Sequence, residues 1–167
     1  GVTPDLSTFG KAMANGYPIS AVVGKTEFMK VCEQKVFISS TFFPNSIEMA
    51  AALKCIEILE RDQIVDVVYQ KGEWFLDQLH KVVAETGAPA QVSGIPPMPY
   101  LTFNKVDDHY KARRDRFYTE TIRRGLFIQP YHHWYISARH TDDDLKKAIS
   151  AIREAMEVVM ELYPVQN

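Results

Sequence analysis

From residue 45 onward apolar residues recur with a period of about 3.6. Ile47, Ala50, Ala51, Leu53, Ile56, Ile58 and Leu59 predict a helix that is apolar on most of its circumference and must be covered by other structure. A second long amphipathic stretch carries Ile64, Val67, Val68, Phe75, Leu79, Val82 and Val83 on its inner side, ends at Gly87 and Pro89, and reads as a connector. The same periodicity returns near 109–124, stopping at Gly125. It returns again over about 142–162, where Thr141 or Asp142 is the expected N-cap and three aspartates occupy the first turn.

Shorter apolar runs lie between these helices. Residues 5–9 and 19–24 are rich in β-branched and aromatic types, with Asn15, Gly16 and Pro18 punctuating the gap, so two strands are expected around a loop that carries Lys11. Thr26 is the expected N-cap of a short helix near 27–34, and an extended piece covers 36–42. After Pro89 the Pro-rich run 95–99 leads into an extended segment at 100–103, and two further short strands are predicted near 126–129 and 134–138. The chain therefore divides into 1–62, a connecting helix at 63–87, and a small α+β domain at 88–167.

Composition narrows the functional classes. Hydrophobic residues make up 46% and charged residues 24%, the balance of a globular protein. A formal charge of -2 leaves no electrostatic footprint for nucleic acid or an anionic membrane, so neither is expected as a partner. No apolar run reaches the length of about 18 residues that a membrane span requires, and a cytoplasmic setting is the expectation. The basic residues Lys111, Arg113, Arg114, Arg116, Arg123 and Arg124 alternate with Asp115 and Glu120 and read as a solvated helix face. Cys32 and Cys55 sit in apolar helical patterns with no cysteine or histidine at metal-ligand spacing, so buried inert thiols and no metal are expected.

Lys11 is the residue with the sharpest chemistry. It is flanked by Gly10, Ala12, Met13 and Ala14, small and mostly apolar neighbours that favour a neutral amine able to bond a carbonyl. The surrounding words carry more information. Val2-Thr3-Pro4-Asp5-Leu6-Ser7-Thr8-Phe9-Gly10-Lys11, followed by Gly16-Tyr17-Pro18-Ile19-Ser20-Ala21, resembles the cofactor-lysine signature of the class III aminotransferases. In that signature a Pro-Asp pair precedes the lysine and a Gly-x-Pro turn follows it. Within the class the wording is most similar to glutamate-1-semialdehyde aminomutases. The resemblance implies an α/β fold: the end of the large domain of a fold-type-I pyridoxal-phosphate-dependent transferase in 1–62, and a C-terminal α+β small domain.

Two further segments resemble the same family. Ser40-Thr41-Phe42-Phe43-Pro44-Asn45-Ser46 lies where the family has a Gly-Thr pair and a loop ahead of a long helix. The resemblance assigns Thr41, with Ser40, to the cofactor phosphate across a dimer interface; the alternative is that Thr41 and Asn45 only cap the helix. Ser40 stands in place of the usual Gly, Phe43-Pro44 in place of Ser-Gly and Ser46 in place of Pro, which makes the loop bulkier and stiffer. Ser137 to Leu145 resembles the family's opening of the last helix, and capping accounts for it structurally. Upstream, His132 and His133 occupy the place of the aminomutases' substrate-side loop without its glutamate. They are either substrate-facing or solvent-facing.

The resemblance implies pyridoxal 5'-phosphate held by Lys11 as a Schiff base, a small-molecule amino donor and carbonyl acceptor, and a homodimer with its site at the interface. It also implies that the carboxylate for the pyridine nitrogen, the ring-stacking aromatic side chain and the glycine- or serine-rich phosphate loop precede this lysine. The chain then corresponds to the C-terminal portion of such an enzyme and is expected to be inactive alone. The expected reaction is transamination, with an intramolecular aminomutase or a non-catalytic interaction module as alternatives.

Overall fold

The computed structural model describes residues 1–39, 41, 43 and 45–165. They form two compact units, Gly1–Ile64 and Val65–Asn167.

The first unit opens with β1 (Leu6–Phe9) and β2 (Ala21–Gly24), paired antiparallel with Leu6 opposite Gly24 and Phe9 opposite Ala21. The short helices α1 (Thr26–Met29) and α2 (Val31–Gln34) follow. Thr26 is the first helical residue rather than the cap, because Lys25 occupies the cap position and makes no side-chain capping bond. Residues 36–39 have no regular structure, and the rest of the extended piece expected at 36–42 falls partly outside the described residues. Helix α3 (Ser46–Arg61) is capped by the Asn45 side chain, which accepts from the Ile47 amide at 3.3 Å. The apolar circumference of this helix is left largely uncovered within the chain. Only Ala52 of α3 is buried, while Leu53 is 69% exposed and Ile47 and Ile56 are exposed as well. A two-stranded ribbon and two single-turn helices offer too little apolar surface to cover such a helix.

The second unit holds the core. Helix α4 (Ile64–Thr86), which the sequence presents as a connector, contributes Phe75, Leu79 and Val82 to it. Strands β3 (Ala90–Ile95) and β4 (Met98–Phe103) form a hairpin with Ile95 opposite Met98. Alternation along β4 buries Pro99, Leu101 and Phe103 on one face. Helix α5 (Tyr110–Arg123) adds Phe117 and Tyr118, and α6 (Asp142–Leu162) adds Leu145, Ile149, Ile152, Ala155, Met156 and Val159. The hairpin turn lies so close to α4 that a Cβ on Gly72 would sit 2.0 Å from the Pro96 carbonyl oxygen, which makes glycine obligatory there.

Strand β3 has no counterpart among the elements that the sequence pattern predicts. Conversely, the strands expected at 126–129 and 134–138 are not formed. Trp134 and Ile136 do donate backbone bonds to the carbonyls of Pro99 and Pro97, both at 2.9 Å. Prolines have no N–H to return, so the ladder cannot be reciprocated and the segment stays irregular.

The arginine-rich face of α5 is also not simply solvated. Arg113 is fully buried. Its guanidinium binds both Asp107 carboxylate oxygens at 2.7 Å, and it donates at 2.7 Å to the carbonyls of Tyr163 and Pro164. Glu120 is buried too, held by Arg116, Arg123 and Arg124. Cys32 and Cys55 are free and half-buried rather than buried. Among the described residues, no helix is long and apolar enough to cross a membrane, and no cluster of potential metal ligands occurs.

Candidate active site

Lys11 begins a single 3-10 turn, Lys11–Met13, in the connection from β1 to β2. The turn closes through Met13 N donating to Gly10 O at 3.1 Å and Asn15 N to Ala12 O at 3.2 Å, and it packs against α3. Lys11 itself has a φ of 51°, a left-handed conformation that costs a side-chain-bearing residue free energy. Such strain concentrates at functional positions. The expectation of shelter is not met within this chain, because the Lys11 side chain is exposed. Only Ala14, three residues on, is buried under the turn. Among the described residues nothing pairs with the Lys11 amine, whereas Lys25, at the other end of the ribbon, is committed to Asp5 at 2.5 Å. The Pro-Asp pair ahead of the lysine therefore pins the open end of the ribbon, where Lys25 N also donates to Asp5 O at 3.0 Å.

Thr41 is exposed, four positions ahead of the cap of α3; Ser40 lies outside the described residues. Asn45 takes the capping role, so the Thr41 hydroxyl is not spent on the helix N-terminus. This donor set, an uncommitted amine and a hydroxyl preceding a helix start, fits the aldehyde and phosphate ends of pyridoxal phosphate in chemical type.

His132 and His133 fall in the second unit, in the segment between α5 and α6. Both are exposed. The His133 ring lies 5.3 Å from that of Tyr100, and the His132 ring lies 5.7 Å from that of Tyr135. His132 Nδ1 is 2.9 Å from the His133 carbonyl oxygen. His133 also lines a cavity of about 400 Å³ walled by Phe75, Leu126, Trp134, Ile136 and Leu145. His140 is structural: its Nδ1 accepts from Ser137 N at 3.2 Å and its carbonyl accepts from Lys71. Thr141 caps α6 in a reciprocal capping box with Asp144, whose carboxyl is held below its ordinary value by the Thr141 hydroxyl and amide.

Sequence reasoning missed the aromatic and cationic groups around the histidines. Tyr100 on β4 borders His133, and Arg114 and Tyr118 on α5 meet Tyr131, the residue that precedes the histidines. Burial pushes the Tyr118 phenol up to about 12. The available signal was the spacing of Tyr110, Arg114 and Tyr118, which places all three on one helix face.

Residues 1–156 match the Aminotransferase class-III family, and the chain belongs to it. The enzymes of this family depend on pyridoxal phosphate. A 3-aminobutyryl-CoA aminotransferase from Cloacimonas acidaminovorans is 57% identical over 97% of this chain and 39% of its own length. A glutamate-1-semialdehyde 2,1-aminomutase from Ignicoccus hospitalis is 32% identical over 95% of this chain and 40% of its own. Among solved structures, the pyridoxal-phosphate internal aldimine form of Sphingopyxis sp. MTA144 FumI superposes with a TM-score of 0.86 at 27% identity. That match covers 99% of this chain and 39% of the other. The chain thus spans about 39% of the length of these relatives.

Proposed function

We propose that the enzyme carrying this chain is a pyridoxal-phosphate-dependent aminotransferase in which Lys11 is the cofactor lysine. The observation that carries this reading is the uncommitted Lys11 amine on its strained turn, in a chain of the class III family. Bound pyridoxal phosphate supplies an electron sink for the density released when the carbon–hydrogen bond beside the substrate nitrogen breaks. Lys11 Nζ is the covalent anchor and, once displaced by the substrate amine, the base that carries the proton away from that carbon. The Thr41 hydroxyl, with Ser40, binds the phosphate from the neighbouring protomer of a homodimer. His132 and His133 face the substrate. Two free cysteines accord with a reducing, cytoplasmic setting.

The relative named as a 3-aminobutyryl-CoA aminotransferase, at 57% identity, supports a β-amino acyl thioester as the amino donor. Relatives named as aminomutases keep an intramolecular reaction as the second reading. One incubation separates them. Mixed with 3-aminobutyryl-CoA and a panel of 2-oxo acids, the enzyme should release 3-oxobutyryl-CoA and, in equal amount, the amino acid formed from one of them. Return of the amino group to a neighbouring carbon of the same molecule, with no new amino acid from any 2-oxo acid, would establish the mutase instead.

A further inference from the structure

The segment joining α5 to α6 is irregular, yet it is tied down along its length. Leu126 N donates to Thr121 O at 2.9 Å, Trp134 N to Pro99 O and Ile136 N to Pro97 O at the same distance, and Lys71 Nζ donates to the carbonyls of Ala138 and His140. Between the first two ties the chain passes through a left-handed residue, Tyr131, with a φ of 60°. A bulky side chain occupies that region only where its surroundings enforce it.

Two neighbours on one face of α5 enforce it here. The Arg114 guanidinium lies 4.4 Å over the centre of the Tyr131 ring, close enough for a cation–π contact. Asp115 fixes that guanidinium, accepting from Arg114 Nε at 3.0 Å. One turn along the helix, the Tyr118 phenol meets the main chain of Tyr131. Tyr131 nevertheless remains 64% exposed. Burial of apolar area therefore does not explain its placement; the stack and the main-chain contact do. His132 and His133 follow at once and are bracketed by the stack at 131 and the backbone tie at 134.

We propose that Arg114 and Tyr131 are positioning residues that hold the left-handed turn and so present His132 and His133 to the substrate. This rests on the substrate-facing reading of the two histidines. Arg114 and Tyr131 touch neither the cofactor nor the reacting atoms; they act through the backbone that carries the imidazoles.

The test is steady-state kinetics of the complete holoenzyme with 3-aminobutyryl-CoA, using Arg114→Met, Tyr131→Ala, Tyr131→Phe and a His132→Ala/His133→Ala double variant. Loss of the stack should raise KM about 3- to 10-fold in Arg114→Met and Tyr131→Ala, the range a partly exposed cation–π contact spans. In both, kcat and the cofactor absorbance should be preserved. Tyr131→Phe keeps the ring and should restore KM to within about twofold of wild type. Tyr131→Ala loses the ring but keeps a Cβ, so the left-handed backbone is no longer held; it decides the matter if Arg114→Met fails to fold. An unchanged KM in Tyr131→Ala, with a raised KM in the double histidine variant, overturns the positioning role and leaves the histidines' role standing. An unchanged KM in the double variant overturns both.

Discussion

Removing the Arg113 guanidinium should strongly destabilise the second unit. Arg113 is fully buried and its partner Asp107 has a side chain only 10% exposed, so Arg113→Met breaks a bidentate ion pair in a poorly solvated place. The two carbonyls that Arg113 also serves belong to Tyr163 and Pro164, half-buried and exposed respectively, and water can replace the lost donors there. The cost is thus dominated by Asp107, which keeps the bond from His109 N at 2.9 Å. Breaking a buried pair by removing one partner costs about 3–5 kcal/mol. Native-state hydrogen exchange in α5 and the last turns of α6 isolates this unit from the first, and protection should fall by about two to three and a half decades. Arg61→Met is the control, because Arg61 and Asp62 form a surface pair whose side chains are 59% and 42% exposed. Its loss should leave the second unit's protection unchanged, because an exposed pair is screened by solvent. Equal small effects from the two variants would refute the argument that burial makes the Arg113 pair matter.

Two other substitutions test the fold. Gly72→Ala drives a methyl group into the Pro96 carbonyl, and circular dichroism melting should show a lowered midpoint that Pro96→Gly does not rescue, because the clash is with backbone. Thr141→Ala removes one half of the capping box and should cost about 1 kcal/mol. It also removes the hydroxyl's bond to the Asp144 carboxyl, leaving the bond from the residue 141 amide. In the wild type that carboxyl is depressed, so its stabilisation is present above the ordinary carboxylate range and is lost as pH falls through the depressed value. The variant's deficit in urea midpoint should accordingly shrink in strong acid.

The long helices were legible because their apolar positions keep one period over many turns. Asn45 and Thr141 marked two of their starts, and Gly125 the end of α5. Lys11 was legible through its flanking words, and its place between two antiparallel strands followed from composition alone. Strand β3 was not, because Ala90-Gln91-Val92-Ser93-Gly94-Ile95 lacks a strong alternation and is held mainly by its partner. The segment 134–136 has strand composition but faces Pro97 and Pro99, a tertiary fact that no local pattern contains. Arg113 and Glu120 looked like surface charges because periodicity cannot show that a C-terminal turn and three guanidinium groups cover them. Tyr131 carries no glycine or asparagine to announce its left-handed backbone.

Borohydride reduction of the holoenzyme, followed by peptide mapping, addresses the central claim most directly. The account predicts a phosphopyridoxyl adduct on Lys11 and its disappearance, together with the protein's visible absorbance, in Lys11→Ala. An adduct on any other lysine, or colour that survives in Lys11→Ala, would contradict it.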